Sequence, residues 1–280
     1  MKLTPQLSKR LKTTYGDWAV ITGATSGIGR ELAFRVCEAG LNLIAVGRGE
    51  KSLQNLKLEI TTRFGVQCET LQADLGTDQW IRVTQKSNSR KVGLFIASAG
   101  FGTSGTFIGN SIETEAEMLR VNCEALLKLT HHFAKHFSCQ KRGGIILMSS
   151  MVAFQGVPFS SNYAATKAYV QSLAEGLYHE LKPYGVDVLA AAPGPVGSRF
   201  GERANMNMGN PMQPEEISLP ILKALGKKPT VLPGRLTKIL VYALRTLPRW
   251  GKVRIMKQVM GGMTKHQGIL PKTHMEGPLG

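Results

Sequence analysis

Cysteine is scarce, long apolar runs are missing, and acidic residues all but vanish toward the C-terminus. The four cysteines, Cys37, Cys68, Cys123 and Cys139, stand far apart and form no C-x-x-C pair, which excludes a disulfide scaffold and suits a reducing, cytoplasmic compartment. The longest apolar stretches, such as Ile239 to Leu244, fall far short of the ~20 residues that a bilayer span needs. The opening stretch, MKLTPQLSKRLKTTYG, is basic and broken early by Pro5 and Lys9, so no secretory leader is expected. His132 and His136 are spaced i, i+4 on a predicted helix, but no third ligand accompanies them, and no metal is expected. There is no Pro/Ser/Gly-rich linker, internal repeat or low-complexity tract. A single domain over 1–260 with a structureless tail over 261–280 is therefore expected.

Positive charge is plentiful and unevenly placed. The formal net charge is +16, and from Ile217 onward twelve lysines or arginines stand against one acid, Glu276. The basic extension over about 234–260 mixes these charges with apolar residues. A solvated helix face is the simplest account; contact with an anionic membrane surface, or with an acidic carrier or phosphate-bearing substrate such as an acyl thioester, are the others. No nucleic-acid partner is expected.

Short apolar runs alternate with segments of helical period. Trp18–Thr22, Leu41–Val46, Val66–Leu71, Val92–Ala97, Gly144–Met148 and Val186–Ala192 read as strands, and Pro229–Leu232 as a seventh. Gly27–Ala39, Glu50–Arg63, Thr77–Lys86, Ser111–Phe137, Ser160–Leu181 and Pro214–Leu225 read as helices. The alternation predicts an α/β fold: one doubly wound (Rossmann) domain with a parallel sheet of about seven strands and helices on both faces. The segment over about 198–213 has weak periodicity and carries Met206, Met208 and Met212, which suggests a mobile apolar flap.

The first strand runs directly into Gly23-Ala-Thr25-Ser26-Gly27-Ile28-Gly29 and then a helix. Glycines there let the chain turn sharply and let its backbone approach a pyrophosphate at the helix N-terminus. The spacing of Thr22, Gly23, Gly27 and Gly29 resembles the T-G-x-x-x-G-x-G turn of the short-chain dehydrogenase/reductase family, and the resemblance extends over about Trp18 to Phe200. The second strand ends at Gly47-Arg48, which supplies no carboxylate for a ribose 2′-hydroxyl but does supply a guanidinium for a 2′-phosphate, so NADP(H) is the expected cofactor. Asp74-Leu75 corresponds to the family's adenine contact. Ala97-Ser98-Ala99-Gly100 corresponds to its N-N-A-G segment with both asparagines replaced, and Pro193-Gly194-Pro195-Val196-Gly197-Ser198 resembles its P-G-x-V-x-T segment bordering the nicotinamide.

Ser150 is followed by Tyr163-Ala-Ala-Thr-Lys167. Residues four apart share a helix face, so phenol and ammonium would point the same way, roughly 5.4 Å apart along the axis. A neighbouring cation is expected to lower the phenol's pKa. The resemblance implies that Tyr163 is general acid or base, that Ser150 hydrogen-bonds the substrate oxygen, and that Lys167 holds the nicotinamide ribose. Asn122 would hold a water linking Lys167 to solvent. It also implies an oxidoreductase moving hydride between NADP(H) and a ketone, aldehyde or alcohol of a fairly apolar small molecule, assembled as a homodimer or homotetramer. A 3-oxoacyl thioester reductase is the alternative within the enzymes, and a non-catalytic NADP(H)-binding sensor the alternative outside them.

Overall fold

Apolar runs that are buried on both faces need helices on both sides, and this chain supplies them. The computed structural model describes residues 2–268. The first half comprises α1 (Pro5–Tyr15), β1 (Trp18–Thr22), α2 (Gly27–Glu38), β2 (Asn42–Gly47), α3 (Glu50–Phe64), β3 (Cys68–Gln72), α4 (Trp80–Asn88) and β4 (Val92–Ala97). There follow α5 (Ile112–Leu119), α6 (Leu126–Gln140), β5 (Gly143–Met148), α7 (Ser161–Leu181) and β6 (Val186–Ala191). The last part holds α8 (Arg199–Arg203), α9 (Pro214–Ala224), β7 (Thr230–Val231), α10 (Arg235–Arg245) and α11 (Arg249–Met263).

The seven strands form one sheet in the order β3-β2-β1-β4-β5-β6-β7, and every pairing is parallel. The expected doubly wound α/β fold is the observed one. One apolar cluster covers the face under α1, α2, α3 and α9; a second covers the face under α6 and α7. The strand order reverses between β1 and β4, and a crevice opens at the carboxyl ends of the strands there.

Four local expectations change. The N-terminal stretch, outside the expected helices, forms α1: Thr4 accepts a hydrogen bond from the Leu7 amide, Pro5 starts the helix, and Leu7, Leu11 and Tyr15 are buried along one stripe. Arg10 donates to the carbonyls of Leu222 and Leu225 at the end of α9, at 2.6 and 3.2 Å. The single helix expected over Ser111–Phe137 is interrupted by a π-helical turn, Arg120–Ala125, between α5 and α6. The 198–213 segment is more structured than its weak periodicity suggests. It contains α8, bridges Val196 to Met212, and is tied by hydrogen bonds from Ser104 to the Ala204 carbonyl and from the Asn207 amide to the Met263 carbonyl. Finally, α11 continues to Met263 and Lys265–Gln267 forms a 3-10 turn, so the tail expected from Gly261 is ordered over 261–268; residues 269–280 lie outside the described residues.

Candidate active site

The turn after β1 is shaped by what a side chain would strike. Gly23 has φ +67°, and a Cβ there would come within 2.8 Å of the Ala99 amide nitrogen. A Cβ on Gly29 would run into the Gly23 carbonyl. The bare backbone leaves a cradle in front of the α2 N-terminus, whose cap residue Ser26 makes no side-chain capping bond. Free N–H groups and the helix dipole there suit a pyrophosphate. Residues Gly23, Thr25, Ser26, Gly27, Ile28 and Gly29 all line one large cavity. The cradle therefore fits a dinucleotide.

Arg48, Asp74 and Leu75 line the same cavity at the ends of β2 and β3. Arg48 pairs with Glu117 at 3.7 Å, both partly exposed. Asp74 accepts a hydrogen bond from the Gly76 amide at 2.9 Å, which builds the turn that delays α4 to Trp80. Ser98, Ala99 and Gly100 follow β4 along the wall. Thr22 and Ala97 stand behind it: Thr22 Oγ1 accepts from the Ala99 amide at 3.2 Å, and Ala97 packs into the core under the sheet. Pro193, Gly194, Val196 and Ser198 complete that side, and Ser198 caps α8 by accepting from the Phe200 amide.

Ser150, Tyr163 and Lys167 meet in this cavity. Ser150 lies two residues past the end of β5, and Tyr163 and Lys167 lie on α7, all buried. The Lys167 ammonium sits 5.7 Å from the Tyr163 ring centre and donates to the Met148 carbonyl at 2.8 Å. The Lys167 carbonyl in turn accepts from Ser149. Burial drives both acidities: it raises the Tyr163 phenol well above its usual range, against a smaller lowering by the Ser150 hydroxyl, and it depresses the Lys167 ammonium to about 8. The expected lowering of the phenol by the ammonium is not among these causes: desolvation sets the direction, and the Ser150 hydroxyl is what opposes it.

Asn122 does not reach the cavity. It sits in the π-turn behind Gly100, where its amide accepts from the Phe101 N–H at 3.1 Å and donates to the Phe101 carbonyl and Thr166 hydroxyl at 2.8 and 3.1 Å. Its side chain is spent on fixing the loop after β4 and α7 relative to one another. Nearby, the buried Glu115 carboxylate accepts from Thr103 and Asn162, both at 2.6 Å, and so anchors the start of α7 next to Tyr163. The sequence offered no signal for Glu115, because its partners Thr103, Asn110 and Asn162 are scattered along the chain.

The far wall joins the 198–213 segment, expected as a substrate flap, to two helices, α10 and α11, that the sequence did not place there. Arg203 and Met206 from the 198–213 segment and residues of α10 and α11 such as Leu240, Met256 and Met260 close a cavity of about 760 Å³. Phe200 packs against Tyr163 with ring centres 5.1 Å apart, and Arg203 stacks over Phe101. Among the described residues no cluster of His, Cys, Asp and Glu could hold a metal. No helix of the described residues is long and apolar enough to cross a membrane.

A pyrophosphate cradle at the switch point, opening onto a buried tyrosine, lysine and serine, is the arrangement of dinucleotide-dependent oxidoreductases acting on C–OH or C=O groups. Residues 17–209 match the short chain dehydrogenase family, and the chain belongs to it. It is similar to a 7β-hydroxysteroid dehydrogenase of Clostridium sardiniense, at 30% identity over 80% of this chain and 88% of that one. It is also similar to a very-long-chain 3-oxoacyl-CoA reductase-like protein of Arabidopsis thaliana, at 33% identity over 71% and 64%. Among solved structures, a 7β-hydroxysteroid dehydrogenase superposes with a TM-score of 0.81 at 28% identity, covering 88% of this chain and 98% of that one. A short-chain dehydrogenase of Sphingobium yanoikuyae in complex with NADPH gives a TM-score of 0.75 at 27% identity, covering 94% and 98%. The family's reaction, NAD(P)(H)-dependent interconversion of alcohols and carbonyl compounds, is therefore this chain's reaction class.

Proposed function

We propose that the chain is an NADP(H)-dependent reductase of bulky apolar ketones, acting also on the corresponding secondary alcohols. The observation that carries this reading is the cavity: beyond the dinucleotide cradle it holds Ser150, Tyr163 and Lys167, and the wall facing them is made largely of methionines and leucines of the 198–213 segment, α10 and α11. A polar ligand would find few partners on that far wall, and a flexible methionine lining accommodates large apolar shapes. The similarity to hydroxysteroid dehydrogenases supports the same substrate class.

Gly23 to Gly29 would take the pyrophosphate and Arg48 the 2′-phosphate, whose charge a carboxylate at the same place would repel. When bound, the nicotinamide supplies hydride to the carbonyl carbon. Tyr163 gives its phenolic proton to the carbonyl oxygen, and Ser150 holds that oxygen in place. Burial keeps the phenol protonated through neutral pH, as a proton donor requires. The Lys167 ammonium lies 5.7 Å from the Tyr163 ring centre, where its charge would favour the phenolate, and Asn122 fixes the loop and helix around the pair. The alcohol-forming direction consumes one hydride and one proton, and oxidation reverses both.

A second reading, reduction of 3-oxoacyl thioesters, draws on the similarity to 3-oxoacyl-CoA reductases and on the cations of α10 and α11 beside the cavity. Self-association through the α5 to α7 side, where Leu119, Leu127 and Tyr169 are exposed, is part of the proposal, as is a cytoplasmic location. The test is a panel of short ketones, aldehydes, steroids and acyl thioesters followed by NADPH absorbance and repeated with NADH. Steroid-sized ketones with NADPH are expected to turn over fastest. Turnover of thioesters alone selects the second reading, and no turnover of any member overturns both.

A further inference from the structure

Only part of the apolar surface of α10 is covered by the other described residues. Thr237, Val241 and Leu244 turn inward and are buried, while Leu236, Ile239 and Leu240 are 67%, 64% and 41% exposed. At about 100° per residue, these three share one arc beside the buried one. Leu247 continues that arc beyond the helix, and across the short turn Trp250 is 70% exposed. Single surface leucines are ordinary, but a contiguous apolar patch marks an interaction site. The same two helices carry Arg235, Lys238, Arg249, Lys252, Arg254 and Lys257, and no acidic residue occurs from Ile217 to Gly268. None of these six cations makes an ion pair among the described residues.

We propose that this face of α10 and α11 docks on an anionic lipid surface, and that the substrate cavity opens against it so that apolar substrate enters from the bilayer. The patch and the cavity share residues. Leu236 and Leu240 line the cavity while lying in the exposed arc, and Ile255 and Val259 of α11, 38% and 43% exposed, do the same from the other side. The mouth is therefore continuous with the docking face. Apolar residues that can enter the acyl boundary, a tryptophan at the polar edge and a surrounding ring of lysine and arginine are what an interfacial helix requires. A second copy of the chain is the poorer occupant, because it would set cations against cations, and the exposed apolar residues of α5 to α7 give self-association its own face. The entry route rests on the reading of the substrate as an apolar carbonyl compound; the docking itself does not.

The full chain is mixed with vesicles of phosphatidylcholine alone or with phosphatidylglycerol, and binding is read by co-sedimentation and by the emission of Trp250. At low salt, partition to the anionic vesicles is expected to be on the order of tenfold or more stronger than to the neutral ones. The accompanying blue shift should be absent in Trp250→Phe. Lys238→Glu with Arg249→Glu, or Ile239→Ser with Trp250→Ser, should each weaken binding by about tenfold or more while leaving turnover of a small water-soluble ketone unchanged. A bilayer-dissolved ketone should be reduced faster from anionic vesicles than from neutral ones. Three results overturn the docking: no vesicle binding or equal binding to both compositions, equally tight binding to polyglutamate, or a concentration-dependent blue shift of Trp250 in buffer alone. A chain that docks but reduces no carbonyl compound keeps the docking and overturns the entry route together with the proposed function.

Discussion

The two walls of the cavity are built on opposite plans. The sheet-side wall, from Gly23 to Ser198, is made of strand ends and turns carrying glycine, alanine and serine, and its few functional side chains are held by backbone, as Lys167 is by the Met148 carbonyl. The opposite wall, from Phe200 to Met263, presents methionine, leucine and isoleucine from helices and relies on packing. Backbone geometry tolerates little alteration, whereas side chains on a covering layer can be exchanged one at a time. The first wall thus sets the chemistry, and the second sets which molecule receives it.

Substitutions can break that division. Tyr163→Phe should lower turnover by about three orders of magnitude while leaving the thermal midpoint and the NADPH titration unchanged; retained activity would move the chemistry elsewhere. Gly29→Ala places a methyl against the Gly23 carbonyl, and NADPH affinity measured by fluorescence titration should fall by roughly 10- to 100-fold. Arg48→Ala should cost about tenfold in NADPH affinity and nothing in NADH affinity, and equal losses for both would remove the 2′-phosphate assignment.

Lys167→Met sharpens the comparison through stability. Burial holds the folded-state pKa of Lys167 near 8, below the ~10.4 of the unfolded chain, so between these values the unfolded chain binds more protons. Wild-type stability therefore rises with pH across that window. At pH 7 the methionine variant, although inactive, should melt several degrees higher in calorimetry, and the gap should close above pH ~10. The mildest effect is expected from the covering wall: Met206→Ala should change the KM for bulky ketones severalfold and leave kcat nearly constant.

Much of this could be read from the sequence because its signals are local. The parallel sheet follows from short buried runs between helical segments, and the glycine turn and the Tyr163–Lys167 spacing place their atoms through their own backbone. The misses share the opposite property. Asn122 interrupts its helix because of hydrogen bonds to Phe101, twenty-one residues earlier, and no helical periodicity encodes that partner. Helix α1 has few apolar residues, and Leu7, Leu11 and Tyr15 suffice only because a groove exists to receive them. The covering wall depends on where α10 and α11 come to rest, which their composition leaves open.

The seating of α1 has a consequence for how the chain is made. Arg10 bonds to carbonyls 212 and 215 residues later, and the Tyr15 hydroxyl donates to Asp187, 172 residues later. Synthesis runs from N- to C-terminus, so α1 leaves the ribosome well before the partners of Arg10 and Tyr15 in α9 and β6, and these bonds form only when those elements have followed it out. Helix α1 is thus made before the sheet it closes on but locks after it, as a clasp that waits for β6 and α9.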